Sequence, residues 1–171
     1  MDFIKGITFA LSSKEAAASL DLLVENTNAN LIILVPNGVQ DTPQSEHIDF
    51  TSEVTMPQEE LEEFIKIAHS KGLRTALKPT VNCRNGTWRA HINFFDEDEP
   101  CEPKWSNWFR AYTDFQLHFA ETAEKCGCEA YCFDSELNNL ISFSTRWVRI
   151  VELARSLYSG HLTSCFIKTE N

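Results

Sequence analysis

Apolar and polar positions alternate between two rhythms along this chain. Gly6-Ile7-Thr8-Phe9-Ala10-Leu11 predicts a first strand. Ser12, with Glu15 three residues on, forms a capping box for a helix whose inner face is Ala16, Leu20, Leu23 and Val24. Leu31 to Pro36 predicts a second strand, apolar on both faces as buried parallel strands are. A long polar loop then runs from Asn37 to about Thr55. Thr55, Pro57 and Gln58 open a second helix striped by Leu61, Phe64, Ile65 and Ala68, which Gly72 ends. Thr75 to Val81 predicts a third strand, and a second long loop reaches Lys104. Trp105, Trp108, Phe109, Tyr112, Phe119 and Ala123 mark one side of a third helix that stops at Gly127. Ala130 to Phe133 predicts a fourth strand. Ser144 to Tyr158 predicts a fourth helix with Trp147, Val151, Ala154 and Tyr158 inward and Gly160 at its close. Leu162 to Phe166 begins a fifth strand.

Strands alternating with helices imply right-handed βαβ units and a parallel sheet. Two architectures fit, a doubly wound sheet or part of a (β/α)₈ barrel. No Gly-x-Gly-x-x-Gly follows the first strand, so a dinucleotide fold has no support. A whole barrel takes roughly 250 residues. The 171 residues here hold about four and a half β/α units, so the expectation is a single domain over 1–171 that is the amino-terminal part of such a barrel, stopping after the start of strand five. In either architecture ligands bind at the carboxyl ends of the strands. Loops beyond about 12–15 residues are often functional, which directs attention to the ends of strands two, three and four.

Composition narrows the ligand. A hydrophobic share of 43% and a charged share of 23% describe a globular chain. A net charge of −10 argues against nucleic acid and against an anionic membrane, and fits a neutral or cationic ligand better. Met1 to Lys5 lacks the features of a signal peptide, and no apolar run approaches the roughly 20 residues of a membrane span, so a cytoplasmic location is expected. The six cysteines, at 83, 101, 126, 128, 132 and 165, show no zinc-knuckle spacing and are expected to be reduced thiols. No metal or organic cofactor is implied.

The segment from Leu77 to Phe94 has the strongest chemical content. An apolar run ends in amides, guanidiniums, an indole and an imidazole, with a turn at Asn85-Gly86. Buried unpaired polar groups cost several kcal/mol, roughly 2–7, so this mixture suits a site gripping a polar ring-shaped ligand. Alternation along the strand groups Lys78, Thr80 and Asn82 on one face, turned into the barrel mouth, with Leu77, Pro79 and Val81 toward the helices. On strand four it groups Cys132, Asp134 and Glu136. Two readings of Glu136 stand side by side: a general acid whose pKa is raised by enclosure, or a solvent-facing glutamate in a β–α loop. Asp134 pairs with it as a second carboxylate, or supports the site, or caps the next turn. Asp96-Glu97-Asp98-Glu99 reads as a solvated loop; His69, His118 and His161 read as structural, and His47 and His91 stay open. Trp105, Trp108 and Trp147 fit helix-core stripes, whereas Trp88 lies in a loop beside Asn82, Arg89 and His91 and is a candidate ligand contact. No Ser-His-Asp arrangement, Walker loop or metal-binding His cluster is visible.

The block Leu77-Lys78-Pro79 through Val81-Asn82-Cys83-Arg84-Asn85-Gly86-Thr87-Trp88-Arg89-Ala90-His91-Ile92 resembles glycoside hydrolase family 113. So do Gly6-Ile7-Thr8-Phe9, Leu34-Val35-Pro36, the spaced aromatics from Trp105 to His118, and Tyr158-x-Gly160-x-Leu162-Thr163. The resemblance runs through essentially the whole chain. It implies a (β/α)₈ enzyme that hydrolyses β-1,4-mannan and related oligosaccharides with retention, with Glu136 as acid/base at the end of strand four. Lys78, Asn82, Trp88, Arg89 and His91 would line the sugar subsites. The sequence departs from the family at Asp134-Ser135-Glu136-Leu137, where the family pattern reads Gly-Cys-Glu-Met, so Asp134 adds a carboxyl beside the acid. Asn138-Asn139-Leu140-Ile141 likewise replaces a charged stretch. The nucleophilic glutamate of such enzymes lies on a later strand than those present here.

Retention needs two carboxyl groups about 5–5.5 Å apart, so the isolated chain is expected to be inactive or nearly so. A half barrel also leaves unpaired strand edges, which favour a complementing half-barrel or self-association. The alternatives are a non-catalytic carbohydrate-binding or assembly half-barrel, and a truncated reading frame with no independent role.

Overall fold

The computed structural model describes residues 3–9, 16–52, 55–94, 101–140 and 142–165. The predicted capping box at Ser12 and Glu15, the strand residues Ala10 and Leu11, the acidic run 96–99 and Phe166 lie outside them.

The elements follow in the order β1 (Gly6–Phe9), α1 (Ala16–Thr27), β2 (Leu31–Leu34), β3 (Asn37–Gln40), α2 (Gln58–Ser70), β4 (Arg74–Leu77), β5 (Thr80–Cys83), α3 (Lys104–Lys125), β6 (Ala130–Ser135), α4 (Ser144–Leu157) and β7 (His161–Cys165). Five strands make one sheet in the order β1-β2-β4-β6-β7, every pair parallel. That order decides between the two architectures. A doubly wound sheet reverses its strand order at a switch point; here each strand simply joins the far side of the last, as consecutive staves of a barrel do.

The helices cover this sheet with the predicted faces. Leu61, Phe64, Ile65 and Ala68 of α2 are buried, as are Trp105, Trp108, Phe109, Tyr112, Phe119 and Ala123 of α3. Trp108 stacks on Tyr112 with ring centroids 4.8 Å apart and planes 12° from parallel. Each tyrosine that enters this core brings a partner for its hydroxyl: Tyr112 donates to the Phe133 carbonyl at 3.0 Å and Tyr158 to the Cys128 carbonyl at 2.8 Å. Gly72 and Gly127 end α2 and α3 with φ of 77° and 68°, a left-handed conformation that glycine adopts without a Cβ clash. In α4, Ile150 and Ala154 are the buried residues, with Trp147 and Val151 half-buried beside them.

Three local expectations give way. Thr55 does not cap α2. Its hydroxyl donates to the Ser52 carbonyl at 2.8 Å, and Pro57 holds the cap position without a side-chain bond. The third strand is two strands, because Pro79 lacks an N–H and breaks the ladder: Lys78 N–H bonds the Leu34 carbonyl at 2.8 Å, and Thr80 N–H then bonds the Pro36 carbonyl at 2.9 Å. The polar loop after residue 36 begins as strand β3, which pairs in parallel with β5, Asn37 opposite Thr80 and Gln40 opposite Cys83. Asn37 and Gly38 of β3 are poor strand formers; tertiary contacts hold the strand. Gln40 is buried and its Oε1 accepts Trp108 Nε1–H at 2.9 Å, while Gly38 lies so close to Ile48 and Phe115 that a Cβ there would come within 2.8 Å of both. The β3–β5 pair thus continues β2 and β4 past their carboxyl ends and builds a platform at the barrel mouth.

Candidate active site

Beyond the break at Lys78-Pro79, β5 carries the next residues of the mouth. Thr80 and Val81 are both buried, at 3% and 2% exposure, and the Thr80 hydroxyl bonds back to the Lys78 carbonyl at 3.1 Å. Thr80 and Asn82 are alternate residues of β5 and share a face, with Val81 and Cys83 in the core on the other; Thr80 is closed off from solvent, and Lys78 and Asn82 stay half-buried at the mouth.

Arg89 organises the site. It opens a 3-10 turn, Arg89–His91, beyond β5. Its Nε–H donates to the Val81 carbonyl at 3.0 Å, Nη2 to Asn82 Oδ1 at 2.6 Å, and Nη1 to Glu136 Oε2 at 2.5 Å. Trp88 Nε1–H donates to the same Glu136 oxygen at 3.0 Å, while its indole is 47% exposed. Asn82 Nδ2 reaches Asn37 Oδ1 at 3.0 Å, which ties the network to the start of β3. Lys78 Nζ lies 3.4 Å from Cys165 Sγ on β7. His91 is exposed; its N–H bonds the Trp88 carbonyl at 2.9 Å and its ring meets the edge of Trp88, with centroids 5.8 Å apart.

Glu136 reaches this cluster by a route that strand alternation does not describe. β6 runs through Ser135, with its register against β7 shifted between Cys132 and Ser135. Glu136 follows with φ of 62°, a left-handed conformation that non-glycine residues seldom adopt and that concentrates at functional sites. Its N–H bonds the Cys165 carbonyl at 2.9 Å. The turn swings the carboxyl into the mouth, and the two residues named with it, Cys132 and Asp134, remain buried.

Two electrostatic expectations are also revised. Of the two readings of Glu136, the one with a raised pKa gives way: the Trp88 hydrogen bond, followed by the bond and charge of Arg89, outweighs desolvation and holds it below the ordinary glutamate value. In this chain Glu136 rests as a carboxylate. Asp134, expected to add a negative charge, is only 1% exposed, and burial pushes its pKa up to about 7 against the pull of the Leu137 and Ser135 N–H groups and Lys78. It is therefore mostly neutral below pH 7.

The histidines outside the site have structural partners: His69 Nε2 with Thr75 Oγ1 at 2.9 Å, and His118 Nε2 with Gln58 Oε1 at 3.1 Å. His47 and His161 are exposed. No disulfide joins any of the six cysteines, and among the described residues no group of three His, Cys, Asp or Glu could hold a metal ion. No helix among them is long and apolar enough to cross a membrane. Sequence reading missed Asn37 and Cys165. Asn37 is a polar side chain directly after the second strand, at the carboxyl edge where ligands bind, and that position was its signal; Cys165 gave none, since its contact with Lys78 depends on the register of β7.

Consecutive parallel staves, with a carboxylate, an indole, a guanidinium and two amides gathered at their carboxyl ends, define part of a (β/α)₈ barrel with a polar cluster at its mouth. The comparisons give the particular family. A model of Glycoside Hydrolase Family 113 matches residues 5–171, and the chain belongs to that family. A solved GH113 β-1,4-mannanase is 42% identical with a TM-score of 0.89, and the match covers 96% of this chain and 55% of the mannanase; a complex structure of a GH113 β-1,4-mannanase gives the same values. The GH113 β-mannanase AaManA from Alicyclobacillus acidocaldarius, in complex with ManMIm, is 33% identical with a TM-score of 0.87, over 96% of this chain and 54% of AaManA. The chain thus spans about 55% of the length of these structures. No curated protein matches it.

Proposed function

We propose that the Glu136 cluster is the acid/base half of a retaining site for β-1,4-linked mannan or mannooligosaccharides. The observation that carries this reading is the convergence of Trp88 and Arg89 on one oxygen of Glu136, with Asn82 and Asn37 behind them. The exposed Trp88 indole offers a sugar ring an apolar face, and Lys78, Asn82, Arg89 and His91 offer its hydroxyls hydrogen-bond donors. Glu136 in the ionised state can receive a proton, which is the second half of a retaining cycle. The first half needs it protonated. A second carboxylate about 5–5.5 Å away supplies that condition, because one of two neighbouring carboxyls holds its proton more tightly. We assign the second carboxyl to the part of the barrel outside the span matched here, as membership of the family implies.

Those strands also complete the sheet. Among the described residues β1 and β7 each pair on one side only. We assign their free edges to the remaining barrel strands, whether from the same polypeptide, from a complementing half-barrel or from self-association, and without those strands the 171 residues are inactive or nearly so. The test is mannopentaose hydrolysis by this chain joined to the complementary strands of a GH113 mannanase. Turnover lost in Glu136→Gln supports the acid/base role, and turnover that survives the change refutes it.

A second reading, a non-catalytic carbohydrate-binding or assembly half-barrel, is favoured by the ionised resting state of Glu136. Calorimetry with mannotriose separates the two: saturable binding with no cleavage in the completed barrel supports the second.

A further inference from the structure

Asp134 is the one buried acid of the chain's described core that the reading above does not use. It is 1% exposed, and neither carboxyl oxygen completes a hydrogen bond among the described residues. Buried polar atoms without partners are uncommon and call for a reason. Two residues on stands Glu136 in its left-handed turn, and the backbone N–H groups that face the Asp134 carboxyl, those of Ser135 and Leu137, lie on either side of that turn. We propose that Asp134 is a positioning residue for Glu136, its carboxyl seating the backbone from Ser135 to Leu137 and so fixing where the acid enters the barrel mouth. This rests on the reading of Glu136 as acid/base.

The surroundings give the device its two settings. From β6 itself Cys132 and Glu136 face Asp134; from the end of β4, Lys78; from α3, Tyr112. Lys78 is the one cation among these groups, and its ammonium is turned to Cys165 on β7. With its proton, Asp134 faces the two N–H groups without completing a hydrogen bond to either and spares Glu136 a like charge. Without it, charge-assisted hydrogen bonds to Ser135 and Leu137 N–H form, and Lys78 is drawn from Cys165. Both changes reach Glu136 through groups it already touches or follows. Burial sets the crossover close to neutrality.

The experiment is a carbon-13 NMR titration of the Asp and Glu carboxyl carbons in the chain alone, with the Trp88 indole N–H as a second reporter. Asp134 should titrate near pH 7, and the Glu136 carboxyl and Trp88 indole should each show a secondary inflection at that pH, besides the main Glu136 titration below its ordinary value. Asp134→Asn should remove the secondary inflections and leave the main one. A Glu136 signal flat through pH 7 while Asp134 titrates, or inflections that survive in Asp134→Asn, would overturn the proposal. If Asp134→Asn fails to fold, the wild-type titration decides. No sugar is used, so failure of the mannan reading appears separately, as an absence of mannotriose binding.

Discussion

Asp134→Asn should change how stability depends on pH, by an amount the structure supplies. The Asp134 pKa rises from 3.8 to about 7 on folding because burial disfavours its anion. The folded chain therefore binds the proton more tightly than the unfolded chain. The stabilisation from this difference is fully present below about pH 3.8 and is lost as pH rises through about 7. At 1.36 kcal/mol per pKa unit the whole effect is about 4 kcal/mol, of which about 3 falls between pH 5 and pH 8. Carboxylates whose pKa values are lowered, such as Glu136 and Glu62, have the opposite sign: their contribution appears above the unfolded pKa and fades as pH falls through the folded one. They are common to both proteins and cancel in the difference. Urea unfolding of wild type and Asp134→Asn across this range should thus show wild type losing about 3 kcal/mol relative to the variant. Parallel curves would refute the assignment of a raised pKa to Asp134.

Three further substitutions test the platform and the mouth. Gly38→Ala pushes a Cβ to 2.8 Å from Ile48 and Phe115 and should cost about 1–3 kcal/mol by overpacking, read from the urea midpoint. Gln40→Ala leaves the fully buried Trp108 N–H without its acceptor, an expected loss of about 1–3 kcal/mol in the same assay. Trp88→Ala removes a half-exposed ring, so thermal stability should hold while mannotriose affinity falls about tenfold, or about 1.4 kcal/mol, in calorimetry.

The barrel staves were legible because each rests on a local signal: paired apolar faces in Leu31–Leu34, a helical stripe in Leu61 to Ala68, glycine at Gly72 and Gly127. β3 was hidden because Asn37-Gly38-Val39-Gln40 has no strand pattern of its own and is held by Trp108 and Phe115, some 70 residues away. The break at Pro79 was visible as a residue, but where the ladder resumes required the partner carbonyls of Leu34 and Pro36. At the site, the residue types were legible and the charge states were not. Strand alternation placed Glu136 at the mouth for an incomplete reason, since a left-handed residue delivers it there. Its lowered pKa follows from Trp88 and Arg89, which are 48 and 47 residues distant in sequence.

The central claim is that Glu136 supplies and recovers the proton in a mannan-hydrolysing barrel. Release of mannobiose from mannopentaose, measured with this chain completed by the complementary GH113 strands, tests it most directly. The expected result is turnover by the wild-type chain and a loss of at least a hundredfold, about 2.7 kcal/mol, in Glu136→Gln, with mannotriose still bound by the variant. Equal turnover by the two proteins would contradict it.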